Sequence, residues 1–245
     1  MSYLLFIFLF SPQTDIHRIS TDLAQSVIDQ KLNKSSIEQL ANIDADELIK
    51  ELNTDGKKKA FWINVYNGLI FSQLSQDPIA YEDRSAFFSE KNIIVAGVSL
   101  SFDAIEHDIL RKSTWKYSFG YITNPFKGDF ESSHEVELLD PRIHFALNCG
   151  AKSCPPVRVY NHQKMEEQLN QTAKFFLLES SVYHNAENTV LVTALFNWFR
   201  GDFDGREGII KVLSQLNIIP ENSAPALTYK HYDWTLDIAN FVESN

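Results

Sequence analysis

The fold is decided by residues 60–67, Ala60-Phe61-Trp62-Ile63-Asn64-Val65-Tyr66-Asn67, which form the centre of a helix that is apolar on most of its surface. Apolar residues recur one helical turn apart in two rows, with Phe61, Val65 and Leu69 in one and Trp62, Tyr66 and Ile70 in the other. A helix that is apolar nearly all round belongs in a protein interior. We predict that it begins with Asp55 as its cap and ends at Gln76, before Asp77-Pro78.

Two asparagines interrupt this apolar surface. Asn64 and Asn67 are three residues apart and therefore share one face of the helix. Buried amides have to be hydrogen-bonded. We favour the interpretation that both hold neighbouring backbone; the alternative is that one of them binds a substrate amide or stabilises an oxyanion.

Helical patterns dominate the rest of the chain, and strand patterns are few. We predict helices over Asp15 to Asn33 and Ser36 to Asn53, a hairpin over Asn92 to Leu100, a short helix from Ser101 or Asp103 to Lys112, a strand over Arg142 to Asn148, a helix over Gln163 to Ser180, a strand near Val190, and helices near Leu195–Phe199 and Gly208–Gln215. The predicted class is α+β, a helix-rich single domain around a small, mostly antiparallel sheet. This domain spans residues 15–245 and has an N-terminal helical part, 15–53.

Composition limits the functions that the chain can serve. The 245 residues carry 22 Lys+Arg against 32 Asp+Glu, a net charge of −10, which disfavours nucleic acid as a partner. No apolar run approaches the roughly 20 residues of a membrane span. Residues 1–14 are an apolar tail or an atypical signal-like segment, which leaves both a cytoplasmic and an exported protein open.

The densest chemistry lies between Asp140 and Pro156, where both cysteines of the chain occur. Cys149 comes where the predicted strand ends, and Gly150 permits a sharp turn there. A thiol at such a position is open to substrate and lies near backbone N–H groups. Because the reactive form is the thiolate, a base has to lie close by.

Two histidines are candidates for that base. On a straight strand His144 would lie about 16 Å from Cys149, too far for a hydrogen bond. We therefore favour Cys149 with His107, whose imidazole Asp103 or Glu106 would orient, and keep Cys154 with His144 as the rival pair.

Cysteines also serve as inert core residues and as metal ligands. A zinc site made of His144, Cys149, Cys154 and His162 has suitable residue types, but its spacing matches none of the usual short clips. Pro155-Pro156 stiffens the chain after Cys154. We expect two free thiols, no metal and no cofactor.

Four motifs resemble those of the domain of unknown function 547 family; they are Ala60 to Asn67, Ile105 to Arg111, Asp140 to Pro156, and Tyr232 to Leu236. The resemblance covers residues 55–236 in the right order. It implies a fold related to papain-like and transglutaminase-like cysteine enzymes, with a thiol, a histidine and a carboxylate as the site. Cys149, His107, His144 and Glu106 are the residues that match.

These observations predict a thiol-dependent hydrolase or acyltransferase that acts on an amide in a peptide or small peptide-like substrate. Cys149 would attack the carbonyl carbon, and His107 or His144 would transfer the proton. The alternative is a non-catalytic module that binds a peptide or a partner protein in the same cleft.

Overall fold

The computed structural model describes residues 15–242. The helices are α1 Ile16–Ile28, α2 Lys34–Ala41, α3 Ala45–Glu51, α4 Asp55–Gln76, α5 Arg84–Ser89, a π-helix Ala104–Leu110, α6 Asp129–His134, α7 Met165–Ser180, α8 Leu195–Trp198 and α9 Gly205–Gln215. Three 3₁₀-helices cover Pro78–Asp83, Pro141–Phe145 and His162–Lys164. The strands are β1 Ile93–Val95, β2 Val98–Leu100, β3 Val182–His184, β4 Thr189–Val192 and β5 Ala226–Tyr229.

Helix α4 lies at the centre of the core, as its apolar rows predict, and its bounds are those expected. Phe61, Trp62 and Val65 are completely buried. The cap is Thr54 and not Asp55, because the Thr54 hydroxyl accepts the N–H of Lys57 at 3.3 Å. The Asp55 carboxylate instead accepts two backbone N–H groups from the segment that follows α6.

The predicted class, α+β and helix-rich, is confirmed, but the sheet is not the centre of the fold. Strands β1 and β2 form the predicted hairpin, which turns at Ala96 and Gly97 with positive φ angles of 51° and 75°. The other sheet has the order β3-β4-β5, with an antiparallel and a parallel pair. Both sheets are small, and the core is built around α4.

Two further predictions of local structure are wrong. Residues 142–148 do not form a strand, because Pro141 begins a 3₁₀-helix and the Asp140 side chain caps it by accepting the N–H of Arg142 at 3.1 Å. Residues 36–53 are two helices, since Asp44 caps α3 through the N–H of Glu47. The helix predicted over 163–180 is confirmed as α7 with a preceding 3₁₀ turn.

The apolar tail or atypical signal-like segment that we predict at residues 1–14 lies outside the described residues. Between residues 15 and 242, no helix combines the length and the apolarity needed to cross a bilayer.

Helix α1 crosses α4 at Gly68, where a Cβ atom would lie only 2.7 Å from the backbone of Leu23. We predict that Gly68→Ala lowers the free energy of unfolding. Overpacking of this kind costs about 1–3 kcal/mol, whereas replacing a helical glycine by alanine contributes about 1 kcal/mol at most.

Urea denaturation of the two proteins measures this difference. Gly56→Ala is the matched control, because its Cβ would be at an ordinary 3.5 Å from the nearest atom, the His162 carbonyl oxygen. The control should be as stable as the parent or slightly more so, and equal effects of the two substitutions would contradict the close-approach explanation.

Candidate functional site

A cavity of about 500 Å³ opens beside α4 and the π-helix. Its wall contains four of the predicted site residues: Cys149, His107, Glu106 and His144. Much of the remaining wall is apolar or aromatic. Its residues include Tyr66, Leu195, Trp198, Phe199, Tyr232 and Trp234. Residues from distant parts of the sequence thus converge on one pocket, although their catalytic roles stay predictions.

The two asparagines of α4 hold backbone, as we favoured from the sequence. Asn64 donates to the carbonyl of Tyr160 at 2.8 Å and accepts the N–H of Tyr160 at 2.9 Å. Asn67 donates to the carbonyl of Ala146 at 2.9 Å and accepts the N–H of Asn148 at 2.8 Å. Both amides are buried, each donates and accepts one backbone hydrogen bond, and neither lies in the pocket wall.

The loop that carries Cys149 is shaped by its own polar groups. The Asn148 side chain accepts the N–H of Gly150 and donates to the carbonyl of Pro155, both at 2.8 Å. Gly150 has a φ of +83°, which confirms the turn predicted there. Its carbonyl accepts the N–H of Asp237, so that the C-terminal segment pairs with the loop and brings Tyr232 to the sulfurs.

The prediction of two free thiols is wrong. Cys149 and Cys154 form a disulfide, with Cα atoms 6.1 Å apart, within the roughly 7 Å that a bridge permits. The turn at Gly150 closes the loop before the stiff Pro155-Pro156 pair begins. Cys149 is partly exposed in the pocket, whereas Cys154 lies beneath it with 3% of its surface exposed.

The π-helix sets the environment of His107. Its wider turn is made by the N–H of Arg111, which donates to the carbonyl of Glu106 five residues earlier at 2.9 Å. The Arg111 guanidinium also lies 2.9 Å from Nδ1 of His107. Because a guanidinium can only donate, Nδ1 is the acceptor and the ring proton is on Nε2. Burial and the charge of Arg111 hold the pKa of His107 well below its ordinary value.

The expected orienters of His107 are not hydrogen-bonded to it. Asp103 lies 3.7 Å from Nε2 and forms its ion pair with Lys116 at 2.6 Å. Glu106 lies 3.9 Å from Nδ1. The ring is held by Arg111 instead.

Asp202 is a site residue that sequence reasoning missed. Its carboxylate accepts Nε2–H of His144 at 2.7 Å and pairs with Arg111 through two contacts of 2.7 and 3.0 Å. Burial lowers the pKa of His144 to about 4, so that the ring is neutral. Burial alone would raise the pKa of Asp202, but hydrogen bonds from His144 and Arg111 hold it below its ordinary value.

Glu106 is the carboxyl group of the pocket with the most unusual environment. Burial raises its pKa to about 7, although the charge of Arg111 opposes the shift. The hydroxyl of Tyr66 lies 3.3 Å from Oε2 and donates to it. Burial also raises the pKa values of Tyr66 and Tyr232, and both phenols therefore keep their protons.

Residues 115–126, which we call the aromatic segment, contribute Lys116, Tyr117 and Phe119 to the wall of the pocket. Tyr117 is 76% exposed and lines the pocket entrance, and Phe126 is 88% exposed. The segment is anchored at Phe119, whose carbonyl accepts the N–H of Gly201 at 2.7 Å and whose ring lies under the guanidinium of Arg200 at 3.8 Å.

The residues weighed as zinc ligands do not converge. The two sulfurs are bonded to each other, and the ring of His162 stacks on His17. Within residues 15–242, no cluster of three or more His, Cys, Asp or Glu side chains could hold a metal ion.

We predict that Glu106→Gln removes a pH-dependent loss of stability. Between pH 4.5, the ordinary pKa, and about 7 the carboxyl ionises in the unfolded chain while it stays protonated in the folded protein, so stability falls as the pH rises. The substitution should therefore stabilise the protein at pH 8 by up to about 3 kcal/mol, with little effect at pH 4.

Urea denaturation at the two pH values tests this expectation. Glu38→Gln is the control, because Glu38 is exposed on α2. If the Glu106 variant lost the same stability as the parent between pH 4 and pH 8, the carboxyl would not be neutral in the folded protein.

Comparison with known proteins supports the family and not a function. Neither a curated protein nor a solved structure matches the chain. The family described as "Protein of unknown function, DUF547" matches residues 49–177, which is more than half of the chain. The matched part contains α4, the π-helix and the loop that carries Cys149 and Cys154, which we call the cysteine loop. The chain belongs to the DUF547 family.

Proposed function

We propose that this protein is a thiol-dependent hydrolase or acyltransferase that acts on an amide in a peptide or small peptide-like substrate with an apolar acyl group. The observation that carries the proposal is the position of Cys149 in the wall of an aromatic pocket that also holds Glu106, a carboxyl with a pKa of about 7. A relation to papain-like and transglutaminase-like cysteine enzymes is part of the same proposal.

The nucleophile becomes available on reduction. In the disulfide the Cys149 sulfur cannot attack a carbonyl, and two electrons from a thiol reductant release both thiols. Cys149 then faces the pocket, while Cys154 stays buried beneath it. This difference in exposure favours Cys149 over the rival, Cys154.

Glu106 is better suited than His107 to act as the base. Both ring nitrogens of His107 are unsuitable, because Nδ1 accepts from Arg111 and Nε2 carries the proton. His144 is held neutral, with a pKa of about 4, and is a weak base. A group with a pKa near 7 is partly ionised at neutral pH and can both take and return a proton.

The reaction then follows from these groups. The Glu106 carboxylate takes the Cys149 proton, and the thiolate adds to the carbonyl carbon. Tyr232, whose hydroxyl is 3.3 Å from the Cys149 sulfur, would be the O–H donor to the developing oxyanion. Glu106 protonates the amine as the C–N bond breaks, and water or an acceptor amine then cleaves the thioester, returning the proton to sulfur.

His144, Asp202 and Arg111 would act as positioning residues. Arg111 and the carboxylate of Asp202 are fully buried and join the π-helix to the segment before α9. This network fixes the wall from which Glu106 and His107 project.

We predict that reduced protein forms an acyl adduct on Cys149 when it is mixed with an aromatic acyl ester or anilide. Cys149→Ser should abolish the adduct. Cys154→Ser should form it without any reductant, because it leaves Cys149 free. Glu106→Gln should lower the acylation rate about 100-fold or more. Intact-protein mass spectrometry and release of the chromogenic amine measure these effects.

Parent protein kept oxidised is the control and should be inert. An adduct that persists in Cys149→Ser, or a Cys154→Ser variant that stays unreactive, would contradict the assignment of the nucleophile. A rate that His144→Gln lowers and Glu106→Gln leaves unchanged would assign the base to His144.

The disulfide favours one alternative, a non-catalytic binding module, because the closed form has no free nucleophile. In that case the pocket of the disulfide-bonded protein would bind an aromatic peptide. Cys149→Ser would retain this binding and show no turnover.

A further inference from the structure

The two sulfurs of the disulfide have different surroundings. Cys149 is reached from the pocket, whereas Cys154 is enclosed by the loop that ends at Pro155. A thiolate that enters the pocket therefore meets the Cys149 sulfur first.

Three hydrogen-bond donors point at the Cys154 sulfur. They are the N–H of Cys149 at 3.1 Å, the N–H of Ala151 at 3.2 Å and the hydroxyl of Tyr232 at 3.2 Å. A sulfur in a disulfide is a weak acceptor, and these donors gain most when the sulfur is a thiolate. Turn N–H groups of this kind form an anion-binding concavity.

We propose that this disulfide oxidises thiols by thiol–disulfide exchange, with Cys149 as the attacked sulfur and Cys154 as the leaving thiolate. The substrate is a thiol that bears an apolar or aromatic group, since the pocket before Cys149 is lined by Tyr66, Trp198 and Phe199. This activity needs no amide substrate and does not depend on the proposed hydrolase.

The electrons balance over two steps. The entering thiolate forms a bond to the Cys149 sulfur, and the electron pair of the Cys149–Cys154 bond goes to Cys154, which the three donors stabilise. A second thiolate attacks the mixed disulfide and releases the Cys149 thiolate. Two substrate thiols are oxidised to one disulfide, and their two protons end on the two protein sulfurs.

Mixing the oxidised full-length protein with benzyl mercaptan tests the proposal. After an acid quench and maleimide labelling, peptide mass spectrometry should find the benzyl thiol on Cys149 and the maleimide on Cys154. Tyr232→Phe should slow the first step about tenfold or more, because one donor to the leaving thiolate is lost.

Tyr160→Phe is the matched control and should not change the rate, since its hydroxyl bonds Thr172 inside the core and is also buried. A second measurement uses Cys149→Ser, in which the ultraviolet absorbance of the thiolate follows the ionisation of Cys154. Its pKa should lie below that of an ordinary thiol and rise when Tyr232→Phe is added.

Three results would overturn the proposal: a benzyl adduct on Cys154, purified protein without the disulfide, or equal exchange rates in the two tyrosine variants. Because the exchange is read from the adduct and the hydrolase from acylation of reduced protein, either activity can fail while the other stands.

Discussion

The site depends on the bonds by which α4 holds two loops through the amides of Asn64 and Asn67. Each amide satisfies a carbonyl and an N–H that would otherwise be buried without partners, at Tyr160 in one case and at Ala146 and Asn148 in the other. These loops have little regular structure of their own. Their positions are thus set by a rigid buried helix, and the cysteine loop is fixed relative to Tyr66 on that same helix.

A buried ion pair lies behind the two histidines of the pocket wall. The side chains of Arg111 and Asp202 are both inaccessible to solvent, and each makes a further bond to a histidine, Arg111 to His107 and Asp202 to His144. Such pairs contribute geometry more reliably than stability, because desolvation of the charges offsets much of their attraction. Here the geometry fixes which nitrogen of each imidazole carries the proton.

Features that depend on a local sequence pattern could be predicted. The apolar rows of α4, the hairpin turn at Ala96-Gly97 and the backbone role of Asn64 follow from periodicity, turn chemistry and the need to satisfy buried amides. The strand over 142–148 failed because alternation of apolar residues assumes one solvated face. In the folded protein residues 143–148 are buried on all sides.

Contacts between residues far apart in the chain could not be predicted from local sequence patterns. Asp202 is 58 residues from His144 and 91 from Arg111, and no local pattern connects them. The disulfide escapes prediction for a different reason. The stiff Pro155-Pro156 pair follows Cys154 and argues against a bridge, but the chain reverses at Gly150, before the prolines.

The anchoring of the aromatic segment bears on how this protein could diversify. A Cβ on Gly201 would lie 2.7 Å from the backbone of Gly120, so the base of the segment tolerates almost no change in side-chain volume. Tyr117 and Phe126, in contrast, project into solvent and contribute little to the core. Substitution of Tyr117, which lines the pocket entrance, can therefore change the ligand preference at little cost to folding, while the residues deeper in the pocket stay the same.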